Sequence, residues 1–185
     1  MHRLLFLPLI HLPLILPLLL LPLPTLSHPH PSLLTTDHIA VQQTLSRYAL
    51  AIDSKDFAAL AAVFTADAVA DYSTGIGVLR GLGEIEVVLA ASLANVSSQH
   101  GLTTQLIDVY ANATASTTTY FTATHFSLAH SQPPTSTSTN SGVLYLYGKY
   151  LDRLVKTADE GMWRIHSRRL VFIGPFVGDL SVFGG

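Results

Sequence analysis

The sequence predicts an α+β fold in which N-terminal helices pack against a strongly curved, mainly antiparallel sheet. Two patterns carry that expectation. Apolar residues recur at helical spacing early in the chain, at Val41, Leu45, Tyr48 and Ile52. Four long segments rich in Thr, Val, Tyr and Phe fill the second half. A run of helices followed by a run of strands segregates into two layers and does not build βαβ units. Such a sheet, closed on one side by helices, leaves a cone-shaped cavity, a usual place for a small-molecule site.

The elements follow in order along the 185 residues. Met1–His2–Arg3 is a short basic start, Leu4 to Leu23 an apolar run, and Thr25 and Ser27 supply the small residues of a cleavage site. Residues 1–27 therefore read as a secretory signal peptide, and the mature protein as secreted. Pro8, Pro13, Pro17, Pro22 and Pro24 interrupt the run and penalise a spanning helix, so no stable membrane insertion is expected after cleavage. Residues 28–34 read as a linker and residues 35–185 as one domain. Asp37 is expected to cap a first helix that Asp53–Ser54–Lys55–Asp56 breaks. Phe57 to Phe64 reads as a second short helix and Val69 to Ser73 as a strand. Gly75, Gly77, Gly81 and Gly83 mark a turn-rich return. Glu84 and Glu86 suit the first turn of a third helix running to about Ala94. Strands are expected over 100–110, 114–128, 143–155 and 162–172, as a four-stranded meander, with a polar loop over 131–142. In a secreted chain, Asn95–Val96–Ser97 and Asn112–Ala113–Thr114 are glycosylation acceptors.

Composition excludes several functions. A formal net charge of −2 is wrong for a nucleic-acid binder that works by phosphate neutralisation. With no Cys, thiol catalysis, disulfide frameworks and Cys-based zinc sites are impossible. The chain has no GxSxG elbow, Walker loop, GxGxxG fingerprint or HExxH helix. It offers a scattered polar set: Tyr48, Asp53, Asp71, Tyr72, His100, His125, Arg168 and Arg169. His38, His130 and His166 read as surface or structural residues.

Arg47–Tyr48–Ala49–Leu50–Ala51–Ile52–Asp53–Ser54–Lys55–Asp56–Phe57, then Asp67 and Asp71–Tyr72, resembles the SnoaL-like and scytalone dehydratase branch of the NTF2-like superfamily. So do Ser98–Gln99–His100 entering a strand, Gly148 to Leu154, and Met162–Trp163–Arg164–Ile165. The resemblance spans about residues 35–175. It implies a cone-shaped α+β barrel and a cofactor-free lyase or isomerase, with the branch's functional residues on Asp53, Tyr72, His100 and His125. Ile52 stands where scytalone dehydratase has a Tyr. Tyr48, five residues before Asp53, matches bacterial relatives that dehydrate steroids.

The chemistry is coherent. Taking a proton α to a carbonyl needs a base near neutrality and donors for the developing enolate oxygen. His100 suits the base and Asp53 would orient it. Tyr48 and Tyr72 would donate hydrogen bonds, with His125 on the opposite wall. Phe121, Tyr145, Tyr147 and Arg169 are the expected substrate-binding residues; only one of Arg168 and Arg169 can face the cavity. A two-His/one-carboxylate metal site from Asp53, His100 and His125 is the weaker option, and the expectation is no metal and no cofactor. The expected partner is a small hydroxylated carbonyl compound of polyketide or terpenoid type. Self-association into a homo-oligomer is compatible with the fold. The competing readings are a secreted protein that only binds a small molecule, and a non-catalytic interaction module.

Overall fold

The computed structural model describes residues 31–73, 75–128, 142–158 and 160–183, with only the backbone of 31–34. The expected leader, His28, His30, His130 and most of the 131–142 loop lie outside these residues. No helix among the described residues is long and apolar enough to cross a membrane.

Helix α1 (Pro31–Ser54) packs Val41, Leu45, Tyr48 and Ile52 into the core, the stripe that the spacing predicts. It begins earlier than expected. Pro31 occupies the first turn, where a missing N–H costs nothing, so four residues of the expected linker are helical. Asp37 is consequently not an N-cap but lies inside α1. Its carboxylate accepts from Trp163 Nε1 at 2.9 Å and Lys156 Nζ at 2.8 Å, fastening the helix to the sheet. After α1, a 3-10 helix at Phe57–Ala62 is capped by the Asp56 side chain. It stops short of the expected Phe64, because strand β1 (Phe64–Tyr72) takes that residue. Strand β2 (Gly77–Arg80) and helix α2 (Leu82–Ser92) follow.

The second half is a meander: β3 (Val96–Tyr110), β4 (Thr114–Ser127), β5 (Val143–Lys156) and β6 (Trp163–Phe172). The expected strands are all present, and β3 starts four residues earlier than read. The meander is part of a seven-stranded sheet in the order β2-β1-β6-β5-β4-β3, with β7 (Val177–Gly178) off β5. The β1–β6 pairing is parallel and all others are antiparallel. Register shifts between Leu102 and Gln105, and between Arg153 and Leu154, interrupt the ladders. Bulges of this kind bend a strand and increase its twist. The inner face carries Ala115, Phe121, Ala123, Leu144, Leu154, Trp163 and Ile165 onto α1 and α2. A last 3-10 helix, Leu180–Phe183, buries Val182 against this core.

Candidate active site

Asp53 lies in the last turn of α1, and His100 lies on the β3 stretch that runs past that turn. Three contacts join them. Asp53 Oδ2 accepts from the His100 backbone N–H at 2.7 Å, and Oδ1 lies 2.6 Å from His100 Nδ1. Ser98 Oγ, two residues before His100 and so on the same strand face, donates to Oδ1 at 2.9 Å. Burial pushes the Asp53 carboxyl up, but the hydrogen bonds and charge of His100, with Ser98, outweigh it and hold the group below the usual carboxylate range. An ionised carboxylate only accepts, so Nδ1 carries a proton, and the neutral tautomer of this ring has its lone pair on Nε2.

His100 lines a cavity of about 420 Å³ together with Tyr48, Tyr72, Tyr150 and His125. Asp53 stands behind the imidazole, outside the cavity lining. Tyr48 and Tyr72, on α1 and β1, hold their hydroxyls 3.1 Å apart. Burial above all, with Tyr48 beside it, raises the Tyr72 phenol well above its ordinary value, so that hydroxyl stays protonated. The His125 ring meets His100 edge-on at 5.5 Å between centroids and Phe183 at 4.9 Å, so it is not on the opposite wall as expected: β4 pairs Ser98 with His125 and sets it beside His100. Burial first, then the charges of His100 and Lys55, lower the His125 pKa to about 4, so it is neutral near pH 7. Its Nδ1 is buried without a hydrogen-bond partner. The remaining wall is apolar, built by Ile52, Leu89, Leu146, Leu170, Phe172 and Phe176 among others.

Phe121 is on this wall as expected, stacked on Tyr150 at 4.5 Å. Its ring lies where a Cβ on Gly148 would be, 2.6 Å from two ring carbons, so a side chain at 148 would force the ring to move. Tyr145 and Tyr147 are corrections. Both point outward, 39% and 42% exposed, because β5 turns its even-numbered residues inward. Tyr147 lines a groove on the outer face with Tyr120 and Ile173. Arg169 is a correction too: it is exposed on the outer face, and its neighbour Arg168 points inward. Arg168 does not reach the cavity. It makes a two-pronged ion pair with Asp152, both contacts 2.8 Å and both side chains buried. Its guanidinium lies 3.9 Å from the Tyr48 ring centroid and 4.1 Å from that of Tyr150. Asp71, at the outer end of β1, is tied to Ser73. His38 hydrogen-bonds the Ile107 carbonyl, and His166 lies exposed beside Asp67.

Ser98 and three of the wall's four phenylalanines, Phe172, Phe176 and Phe183, were not among the expected site residues, and the sequence assigned Tyr150 no definite side of its strand. Strand alternation could have found Ser98 from His100, and Tyr150 from Leu144 and Leu146. Nothing local in the sequence marks Phe172, Phe176 or Phe183. Among the described residues, no three His, Asp or Glu side chains are grouped to hold a metal ion.

Solved structures similar to this chain include a provisional aromatic ring hydroxylase of Novosphingobium aromaticivorans, 26% identical. The match covers 80% of this chain and 97% of that one, with a TM-score of 0.67. A provisional scytalone dehydratase of the same organism is 20% identical over 80% of this chain and 91% of its own, with a TM-score of 0.66. A hexachlorocyclohexane dehydrochlorinase is 13% identical over 78% and 89%, with a TM-score of 0.63. At those lower identities the likeness is one of fold. Comparison with curated proteins gave no match. The SnoaL-like domain family matches residues 34–169, which hold α1 from its second turn, the meander as far as Arg169 in β6, and the Tyr and His residues of the cavity; the chain belongs to that family, on an NTF2-like cone fold.

Proposed function

We propose that the protein is a cofactor-independent lyase or isomerase that eliminates water from, or rearranges, a hydroxylated carbonyl compound. The observation that carries this reading is the Asp53–His100 pair at 2.6 Å, whose imidazole lines a largely apolar cavity. Asp53 fixes the imidazole and stabilises its cationic form, while Nε2 takes the proton α to the carbonyl. Of the bonded Tyr48 and Tyr72 hydroxyls, one donates to the other and the second donates to the enolate oxygen as charge builds there. His100 then returns its proton to the departing hydroxyl, which leaves as water. No step needs a metal or an organic cofactor. His125, neutral near pH 7, stands beside His100 on the neighbouring strand and would hydrogen-bond the substrate without adding charge. A cavity of about 420 Å³ with apolar walls suits a one- or two-ring polyketide or terpenoid skeleton.

The test is incubation with a panel of one- and two-ring β-hydroxy ketones in deuterated water, read by mass spectrometry. Loss of water, or deuterium gained at the α carbon, that disappears in His100→Ala is the expected result. Tight binding of the same compounds with neither change would leave a carrier that only binds small molecules. The proposal also places the protein in the secretory pathway, on the sequence of residues 1–27. Asn95 and Asn112 both stand exposed in turns, where an acceptor asparagine has to be. N-terminal sequencing and glycosidase treatment of protein secreted from a eukaryotic host test these two points.

A further inference from the structure

We propose that Lys55 is a positioning residue for this site, acting through Ser98 on the Asp53 carboxylate. The inference rests on the reading of Asp53 and His100 as the working pair.

Lys55 follows the last residue of α1. The backbone N–H of Asp56 donates to the Ala51 carbonyl at 2.9 Å, and that of Lys55 to the Ile52 carbonyl at 3.4 Å. These are the two bonds of a Schellman ending, in which the residue at the Lys55 position is left-handed and is usually glycine. Lys55 has φ of 62°. An L-residue there is conformationally unfavourable, so the backbone alone gives no reason for a lysine. The side chain does. Its Nζ donates to Ser98 Oγ at 3.3 Å, and Ser98 Oγ donates in turn to Asp53 Oδ1 at 2.9 Å. Because Lys55 fills one acceptor position of the serine hydroxyl, the hydroxyl hydrogen is directed to Asp53. The chain Lys55–Ser98–Asp53–His100 thus fixes the carboxylate through Oδ1, the same oxygen that faces the imidazole.

The ammonium has a second effect. His125 is faced by Asp53 and Lys55 from the end of α1, by His100 from β3, and by the Phe183 ring from the C-terminal turn. The positive charge of Lys55 offsets that of the Asp53 carboxylate at this point and opposes a proton on His125. One lysine therefore steadies the carboxylate and helps to keep His125, the neighbour of His100, neutral.

The experiment uses the whole protein and needs no substrate. Imidazole proton and carbon resonances are followed by NMR in the wild type, Lys55→Gly, Lys55→Arg and Ser98→Ala. The wild type should show a far-downfield, slowly exchanging His100 Nδ1–H proton, from the 2.6 Å bond to Asp53. Lys55→Gly should lose that resonance to exchange and move the His125 midpoint upward from about 4. Its melting temperature should be unchanged or higher, because glycine suits the left-handed position. Lys55→Arg should restore both signals. Ser98→Ala should lose the downfield proton while the helix ending stays intact. If Lys55→Gly melts normally with both signals unmoved, or Ser98→Ala retains the downfield proton, the proposal is overturned. In the first case Lys55 is only a helix ending. These readouts are independent of turnover: a His100→Ala enzyme that keeps its activity would sink the elimination reading and leave them standing.

Discussion

His125 shows how one buried side chain links the site to the stability of the fold. Its pKa is about 4 in the folded protein against 6.5 for the free side chain, and the ring is 2% exposed. Below pH 6.5 the unfolded chain takes up a proton that the native site refuses. Its contribution to stability is therefore whole above that pH and falls away as the pH drops toward 4. The loss across that window amounts to about 3 kcal/mol. Urea titrations at pH 7 and pH 4.5 should show the fall, and His125→Phe should flatten it. On the catalytic side, His100→Ala is expected to lose about 10³-fold in kcat, within the range for one general base. Asp53→Asn should lose less, because the base survives with weaker orientation. Equal losses would make the carboxylate more than an orienting group. The dyad was legible through the resemblance that Asp53–Ser54–Lys55–Asp56 and Ser98–Gln99–His100 carry, since residue types alone gave only a scattered polar set. Tyr145 and Tyr147 were misread although Lys149 and Arg153 share their side of β5, and that charge marks the outer face. The buried Asp152 on the even-numbered side obscured the alternation.

The elements were legible where periodicity is strong. Val41 to Ile52 keep helical spacing, and β3 to β6 are long enough for their composition to dominate. The 3-10 helix and β1 were misplaced because their boundary is tertiary. Phe64 enters a strand only because β6 lies parallel beside it, about a hundred residues later in the chain. The start of α1 was missed for a related reason. The cap-like residue Asp37 is reserved for Trp163 and Lys156, which are distant in sequence. Asp37→Ala should therefore act as a lost inter-element fastening and lower stability by about 1 kcal/mol in chemical denaturation. A loss of α1 helicity at its first turn alone would mean that Asp37 caps after all.

At the scale of the molecule, the Arg168–Asp152 pair ties β5 to β6 beneath Tyr48 and Tyr150. Buried ion pairs resist the loss of one partner far more than the loss of both. Arg168→Met should cost about 3–5 kcal/mol, because Asp152 is left charged in the core. Arg168→Met with Asp152→Leu should regain most of that. A double variant no better than the single would show that the guanidinium matters for the tyrosines and not for its partner. The pair was half legible: alternation allowed at most one of the two arginines inside, but Arg169 was the wrong one, since His166 is an extra residue of β6 opposite Arg153 and Leu154 and shifts the facing of that strand from Ile165 to Arg168.

The missing side chain at Gly148 has a mechanical consequence. Phe121 is clamped between the Tyr150 ring and the bare backbone of β5, with the Val171 carbonyl 2.9 Å from where a methyl group would sit. A wall made this way yields little, since the β5 backbone has no rotamer to give and the buried Tyr150 ring is itself held against Tyr48 and Arg168. It acts as a gauge: a flat ring slides along it, and a puckered or bridged one meets a surface that hardly retreats. Affinity should fall from planar to saturated analogues of equal size. In Gly148→Ala the displaced ring should erase that order along with much of the binding, a comparison that isothermal titration of paired ligands can make directly.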